Sequence, residues 1–262
     1  MLGLGNSLVT GGASEEWTPS QLGSTLELWY QYNTGQTNLS GTDGNSDNRM
    51  QWDDQSGNSR HAQQDTDAKK PSITSGYLDF DDASTQDYLT LATGDGALEF
   101  GDDDPFTVVV GISQDSLSSG SDRFIGGDGS EFIGLTPSGD RLQVRGGGAL
   151  CVPIFDDGVV FPAATDHVIT ITRDASMFIR VYKNGNLLTL DSSTNNYDAS
   201  NPTKLIMGDG AEMTVKRIGA GVNVSNENTF EGKLYELMIC NTVLSDTDRN
   251  LATNYVKNKL GI

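Results

Sequence analysis

The chain has 262 residues and a formal net charge of −19, with 36 acidic and 17 basic side chains. A surface this acidic repels the phosphate backbone of nucleic acids and the anionic face of membranes, so we expect neither as a partner. The hydrophobic content of 35% and the 31 glycines favour short strands joined by turns over helices with wide apolar faces.

Residues 1–20 are predicted to form an extended N-terminal arm, and residues 21–262 a single domain. The arm is rich in Gly, Ser and Thr, and its apolar side chains are candidates for contacting a partner: Leu2, Leu4, Leu8 and Val9. Such arms become ordered on a neighbouring subunit, because alone they bury too little surface to offset their chain entropy. No basic region typical of a secretion signal precedes the apolar residues, and no apolar run approaches the ~20 residues that span a bilayer.

Strand patterns recur along the rest of the chain. They are predicted at residues 25–32, 77–80, 87–91, 105–112, 123–125, 131–135, 141–145, 167–172, 177–182, 187–190, 204–207, 215–218 and 233–240. The apolar run at 105–112 predicts a central strand. Asn184-Gly185 predicts a tight hairpin, because a type I′ turn needs positive φ at both central residues.

One helix is predicted, close to the C-terminus. Ser245 is a good N-cap, and Asp246 and Asp248 stand in the first turn, where the helix dipole favours acidic side chains. Leu251 and Tyr255 have helical spacing. Gly261 is the predicted stop.

Three stretches carry a resemblance to a known family. Trp52 to Ala62 fits the pattern W-x-D-x-S-G-N-x-x-H-A, His167 to Leu188 contains a T-R-D…Y-x-N-G hairpin, and Phe230 to Asp246 contains F-x-G…E…L-S-D. Together these stretches resemble laminin-G-like and concanavalin A-like domains of bacterial and phage proteins. The resemblance implies an all-β, concanavalin A-like jelly-roll β-sandwich with one short C-terminal helix. It implies little about activity, because the family includes lectins, hydrolase appendages and virion proteins.

The residues of the first stretch have structural interpretations. We expect Trp52 to fill the core, with ligand stacking as the alternative. Asp53 is a candidate for capping the turn at Ser56-Gly57-Asn58. His61 is interpreted as structural.

Catalytic patterns are missing from the sequence. A retaining glycosidase needs two carboxylates about 5–5.5 Å apart, which the related enzymes supply as E-x-D-x-E on one strand. That pattern does not occur, and Glu231 and Glu236 differ by an odd number, so a regular strand points them to opposite sides. Glu236 is therefore interpreted as structural, and the chain as a non-enzyme. Cys151 and Cys240 are expected to be buried free thiols, with a disulfide as the alternative.

Calcium is the one cofactor that the sequence suggests. Asp43, Asn45 and Asp47 place oxygen atoms at alternate positions, and Asp54 stands where a calcium loop would place its final carboxylate. The loop lacks the glycine and the long glutamate of an EF-hand, so a solvated polar loop is the alternative.

Two functions remain open from the sequence. The first is a virion structural protein of a tailed phage, either a capsid decoration or a fibre or appendage component, held to capsid or tail proteins by the arm. The second is a lectin-like module that binds cell-surface glycans, with Asn195, Tyr197 and Asn226 as candidate contacts.

Overall fold

The computed structural model describes residues 16–80, 86–91, 97–115, 122–127, 130–136, 138–156, 158–221 and 229–262. In chain order the strands are β1 (Leu26–Tyr30), β2 (Gln36–Asn38), β3 (Met50–Trp52), β4 (Ala62–Gln64), β5 (Ser72–Thr74), β6 (Tyr77–Phe80), β7 (Leu89–Leu91), β8 (Leu98–Phe100), β9 (Phe106–Gln114), β10 (Asp122–Gly126), β11 (Phe132–Leu135), β12 (Leu142–Arg145), β13 (Leu150–Cys151), β14 (His167–Arg173), β15 (Phe178–Lys183), β16 (Asn186–Leu187), β17 (Leu205–Ile206), β18 (Met213–Val215), β19 (Arg217–Ile218) and β20 (Gly232–Cys240). The helix α1 spans Asp246–Leu260, and short 3-10 helices span Pro19–Thr25, Ser46–Asn48 and Asp67–Lys69. None of the helices in these ranges is long and apolar enough to cross a membrane.

The strands pair antiparallel in two large sheets. The first sheet runs β16-β15-β14-β9-β20-β6-β5, with β1 paired to β20 and β17 paired to β15. The second sheet runs β13-β12-β11-β10-β19-β7-β4-β3-β2, and β18 with β8 forms a separate two-stranded sheet. The predicted central strand is confirmed, because β9 is buried at every position and lies between β14 and β20.

The main core lies between the two large sheets. Trp52 is fully buried there, stacks on Tyr30 at 5.2 Å, and donates its indole N–H to the backbone oxygens of Gln31 and Thr34. This confirms core packing for Trp52. Alternate residues of both sheets enter the same core, which is the arrangement of a sandwich. The predicted all-β sandwich with one C-terminal helix is confirmed.

The helix packs on the outer side of the first sheet and encloses a second, smaller core there. Gly111 allows the close approach, because a Cβ at this position would lie 2.8 Å from Val256 Cγ1. Ser245 accepts a hydrogen bond from the Asp248 N–H, and Gly261 ends the helix at a φ of 74°. Both predicted ends of the helix are confirmed.

The turn at Ser56-Gly57-Asn58, called the signature turn below, is held by a different aspartate from the one predicted. Asp54, not Asp53, accepts the backbone N–H groups of Trp29, Ser56 and Arg60. Asp53 instead accepts the Gln51 side-chain amide. Asp54 also occupies the D of the W-x-D pattern, and its buried carboxylate ties this turn to β1.

Two further predictions concern the hairpin and the cysteines. Asn184 and Gly185 have φ values of 51° and 90°, which confirms the turn with two positive φ values.

Cys151 on β13 and Cys240 on β20 are both buried and both free. Burial raises the pKa of each thiol to about 12.

Candidate functional site

The outward side of the second sheet carries a row of mostly polar side chains, interrupted at Gly126 and Phe132. Trp52 and Ala62 point into the core, so their neighbours Gln51 on β3 and Gln63 on β4 point outward. Thr90 on β7 lies opposite Gln63, and beyond it the row continues over β19, β10, β11 and β12. We call this surface the polar face; its residues are Gln51, Gln63, Thr90, Arg217, Arg123, Phe132, Gln143 and Arg145.

The side chains at one end of the polar face hold each other in place. Gln63 Nε2 lies 2.5 Å from Gln51 Oε1, and Gln51 Nε2 lies 2.6 Å from Asp53 Oδ1. Each of these amides is therefore fixed in orientation while remaining partly exposed. Planar groups with a fixed donor and a fixed acceptor are suited to pairs of neighbouring hydroxyls on a ligand.

A cleft of about 350 Å³ opens beside these glutamines. Its lining combines a partly exposed aromatic ring with groups that form hydrogen bonds: Gly44, Arg49, Gln63, Gln64, Asp65, Thr66, Tyr88, Thr90 and Leu91. The Gln64 amide donates to the Tyr88 backbone oxygen, and Arg49 pairs with Asp65 at 3.0 Å. The cleft therefore combines a partly exposed ring, which Lys69 and Arg217 approach within 5.6 and 5.7 Å, with several oriented polar groups, the combination that fixes small polar ligands.

At the other end of the polar face lies a pair of arginines. The guanidinium carbon of Arg123 lies 3.9 Å from the centre of the Phe132 ring, and Arg145 is the partner of Phe132 across strands β11 and β12. Arg217, midway along the row, donates to the Gly221 backbone oxygen. This end of the face is cationic in a strongly acidic chain.

A larger cleft of about 500 Å³ lies elsewhere, between the β8 strand and the signature turn. Several of its polar groups bond to one another: Arg60 pairs with Glu27 at 3.0 Å, and Asn241 donates to Glu27 at 2.6 Å. Asp104 accepts the Gly101 N–H. This cleft shares no lining residue with the polar face.

Glu236 lies on the opposite side of the molecule, under the helix. A β-bulge at Tyr235 turns two consecutive residues to the outer side of the first sheet. Glu236 is fully buried, and its two oxygens accept the Trp29 indole N–H at 2.6 Å and the Tyr32 backbone N–H at 2.7 Å. Burial raises the pKa of this carboxyl to about 7, although both hydrogen bonds and the charge of Lys259 act in the opposite direction.

The residues predicted to bind calcium fall into two separate hydrogen-bond networks. Asp43 accepts the Asn48 side-chain amide at 3.1 Å, and the Lys70 ammonium bonds to Asn48 Oδ1 at 3.1 Å. Asn45 is exposed, and Asp47 accepts the Thr42 N–H at 3.4 Å. Asp54 serves the signature turn instead. No group of three or more His, Cys, Asp and Glu side chains within the described ranges is arranged to hold a metal ion, and calcium binding stays a prediction.

The predicted partner and glycan contacts are only partly described. Leu2, Leu4, Leu8 and Val9 of the arm lie outside the described residues, as does Asn226. Asn195 is exposed, whereas Tyr197 is half-buried and packs against the main core. The glycan contacts at Asn195, Tyr197 and Asn226 therefore stay a prediction. The polar face was missed by sequence reasoning; its signal was the alternation of Gln51, Gln63 and Thr90 with apolar neighbours.

No protein-family model matches the chain, and no curated protein matches its sequence. Solved structures do match its fold. A Trypanosoma rangeli sialidase in complex with 2,3-difluorosialic acid is 11% identical with a TM-score of 0.56, over 98% of this chain and 36% of the sialidase. The botulinum neurotoxin serotype D ligand-binding domain in complex with N-acetylneuraminic acid is 14% identical with a TM-score of 0.54, over 88% of this chain and 51% of that one.

The chain therefore spans about a third of the sialidase and about half of the toxin domain. At these identities the likeness shows the fold alone, a β-sandwich.

Proposed function

We propose that the protein is a carbohydrate-binding, lectin-like module whose ligand lies along the polar face. The observation that carries this proposal is the row of outward, oriented amides and guanidiniums beside the cleft that Tyr88 lines. Sugars present hydroxyls in pairs together with an apolar ring face. Planar polar side chains and a partly exposed aromatic ring complement both features.

The comparisons suggest the ligand class to test first. The sialidase and the botulinum domain were each solved with a sialic acid compound bound, on folds that this chain shares. A glycan array that includes sialylated, uronic acid-containing, sulfated and neutral glycans is the corresponding experiment. The proposal expects binding to a defined subset of these glycans. It fails if the folded protein binds none of them.

Variants of the cleft locate the site. Gln63→Ala and Tyr88→Ala remove one oriented amide and one ring, so each should weaken glycan binding by about tenfold. Gln21→Ala is the matched control, because Gln21 is exposed in the first 3-10 helix, away from the polar face. Equal binding by all three variants would place the glycan elsewhere on the molecule.

The proposal includes no catalytic step. Glu236, the carboxylate that the sequence analysis weighed as a catalytic group, is buried beneath the helix. Both of its oxygens accept hydrogen bonds. Its position on the side opposite the polar face supports a structural role. Incubating the bound glycans with the protein and analysing the products by mass spectrometry tests this part, and released sugar would contradict it.

The virion role also stays a prediction, and it is compatible with glycan binding. It depends on the arm, of which residues 1–15 lie outside the described residues. Trp17, just beyond them, contacts Tyr255 of the helix with ring centres 6.0 Å apart. Deleting residues 1–15 should therefore leave a folded domain but abolish incorporation into phage particles; normal incorporation would contradict the role assigned to the arm.

A further inference from the structure

Two arginines of the polar face flank a single aromatic ring. Phe132 is 4% exposed although it points outward, because the Arg123 guanidinium covers it at 3.9 Å. Arg145 lies directly opposite Phe132 on the neighbouring strand. Side chains at opposite positions start from Cβ atoms about 4.5–5.5 Å apart. The two guanidiniums therefore share one patch of the sheet.

Among the described residues, neither member of this pair has a counter-ion. In the part of the chain that the structure describes, no carboxylate lies within 4.0 Å of either guanidinium, and the Nε atom of each is shielded from solvent without a hydrogen-bond partner. Every other arginine bonds to a carboxylate or to a backbone oxygen: Arg49, Arg60, Arg141, Arg173, Arg180, Arg217 and Arg249. The pair is thus an exception within a chain of 36 acidic and 17 basic residues.

The arrangement is electrostatically unfavourable without a ligand. Burial and the positive charge of Arg145 both lower the pKa of Arg123. Half-buried like charges are normally neutralised by a partner, because desolvated charge is costly. An anion between the two guanidiniums would supply that partner. It would also accept the unused N–H groups.

The surroundings favour an anionic group carried on a sugar. Gln143, on the same strand as Arg145, adds an amide, and Leu150, which pairs with Arg145 on β13, is 51% exposed. An exposed leucine beside a guanidinium can cover the apolar face of a sugar ring while the guanidinium binds its acid group. The planar fork of arginine matches a carboxylate in two parallel hydrogen bonds.

We propose that Arg123 and Arg145 form a subsite for the carboxylate of an acidic sugar, which makes the ligand of the polar face an anionic glycan. This proposal rests on the proposed function and specifies it further. Because the chain as a whole repels anions, such a glycan depends on this local pair for its affinity.

The test compares matched sugars that differ only in the acid group. Calorimetric titrations use an oligosaccharide that contains glucuronic acid, the same oligosaccharide with glucose in its place, and a sulfated form. We expect the carboxylated sugar to bind about tenfold more tightly than the neutral one. Arg123→Gln and Arg145→Gln should each remove most of that preference. Arg123→Lys, which keeps the charge but loses the fork, should restore only part of it.

Controls separate this subsite from the rest of the face. Arg180→Gln neutralises an arginine of the first sheet that is paired with Asp174, and it should leave the preference unchanged. Gln63→Ala should weaken the neutral and the acidic sugar equally. Arg145→Gln should also leave the melting temperature unchanged or raise it, because it removes a like charge beside Arg123; a clear fall would show that Arg145 serves the fold instead.

The outcomes distinguish the two proposals. Equal affinity for neutral and carboxylated sugars, unaffected by the arginine variants, would overturn the subsite and leave glycan binding intact. Equally tight binding of the sulfated sugar would overturn the carboxylate assignment. Absence of binding by every glycan on the array would overturn both proposals.

Discussion

Glu236 should make the protein less stable as the pH rises through the weakly acidic range. Its pKa is 4.5 in an ordinary environment and about 7 in the folded chain, where burial beneath the helix opposes ionisation. The folded state therefore holds one more proton than the unfolded state between these values, and it loses that advantage as the pH rises. At about 1.4 kcal/mol for each pH unit, the cost reaches about 3 kcal/mol above pH 7.

Urea unfolding measures this cost when the protein and its Glu236→Gln variant are compared. Taking the difference between their free energies of unfolding removes the contributions of groups that titrate in both proteins. His167, whose pKa is lowered mainly by burial, is one such group. From pH 4 to pH 8 we expect the difference to shift by about 3 kcal/mol in favour of the variant. Glu99→Gln, at an exposed position of β8, is the control and should follow the unaltered protein. Parallel curves for the Glu236 variant and the unaltered protein would refute the reasoning.

Three further substitutions test how the sandwich is held together, each by urea unfolding at neutral pH. Gly111→Ala brings a Cβ within 2.8 Å of Val256 and should cost about 1–3 kcal/mol by displacing the helix; an unchanged midpoint would show that the helix is not fixed at this contact. Ser245→Ala removes the cap on the Asp248 N–H and should cost about 1 kcal/mol, whereas Ser245→Thr should retain most of the stability. Asp54→Ala leaves several donors of the signature turn unbonded and should cost about 3 kcal/mol; a loss below about 1 kcal/mol would contradict its role as the acceptor of that turn.

The parts of the fold that the sequence predicted are those with a strong local cause. Strand β9 was found because its apolar run needs burial on both sides, and the β15–β16 hairpin because Asn184-Gly185 accepts positive φ at both positions. The helix was bounded by the cap at Ser245 and by Gly261. In each case the residues that produce the feature are neighbours in the chain.

The strands and the turn cap that the sequence did not predict correctly depend on partners that are distant in the chain. Strands β2 and β4 are short and polar, so their sequences resemble loops, and they exist because β3 and β7 supply hydrogen-bond partners. The assignment of the turn cap to Asp53 was wrong for the same reason. The donor that distinguishes the two aspartates is the N–H of Trp29, which lies 25 residues away from Asp54.

Composition and short-range patterns were enough to predict an all-β sandwich and its closing helix. The polar face became visible only in the folded chain. The pairing of β10, β11 and β12 brings Arg123 and Arg145 to one ring, and that of β3, β4 and β7 aligns Gln51, Gln63 and Thr90. A face of a sheet is made across strands, by residues whose proximity comes from register and not from spacing along the chain.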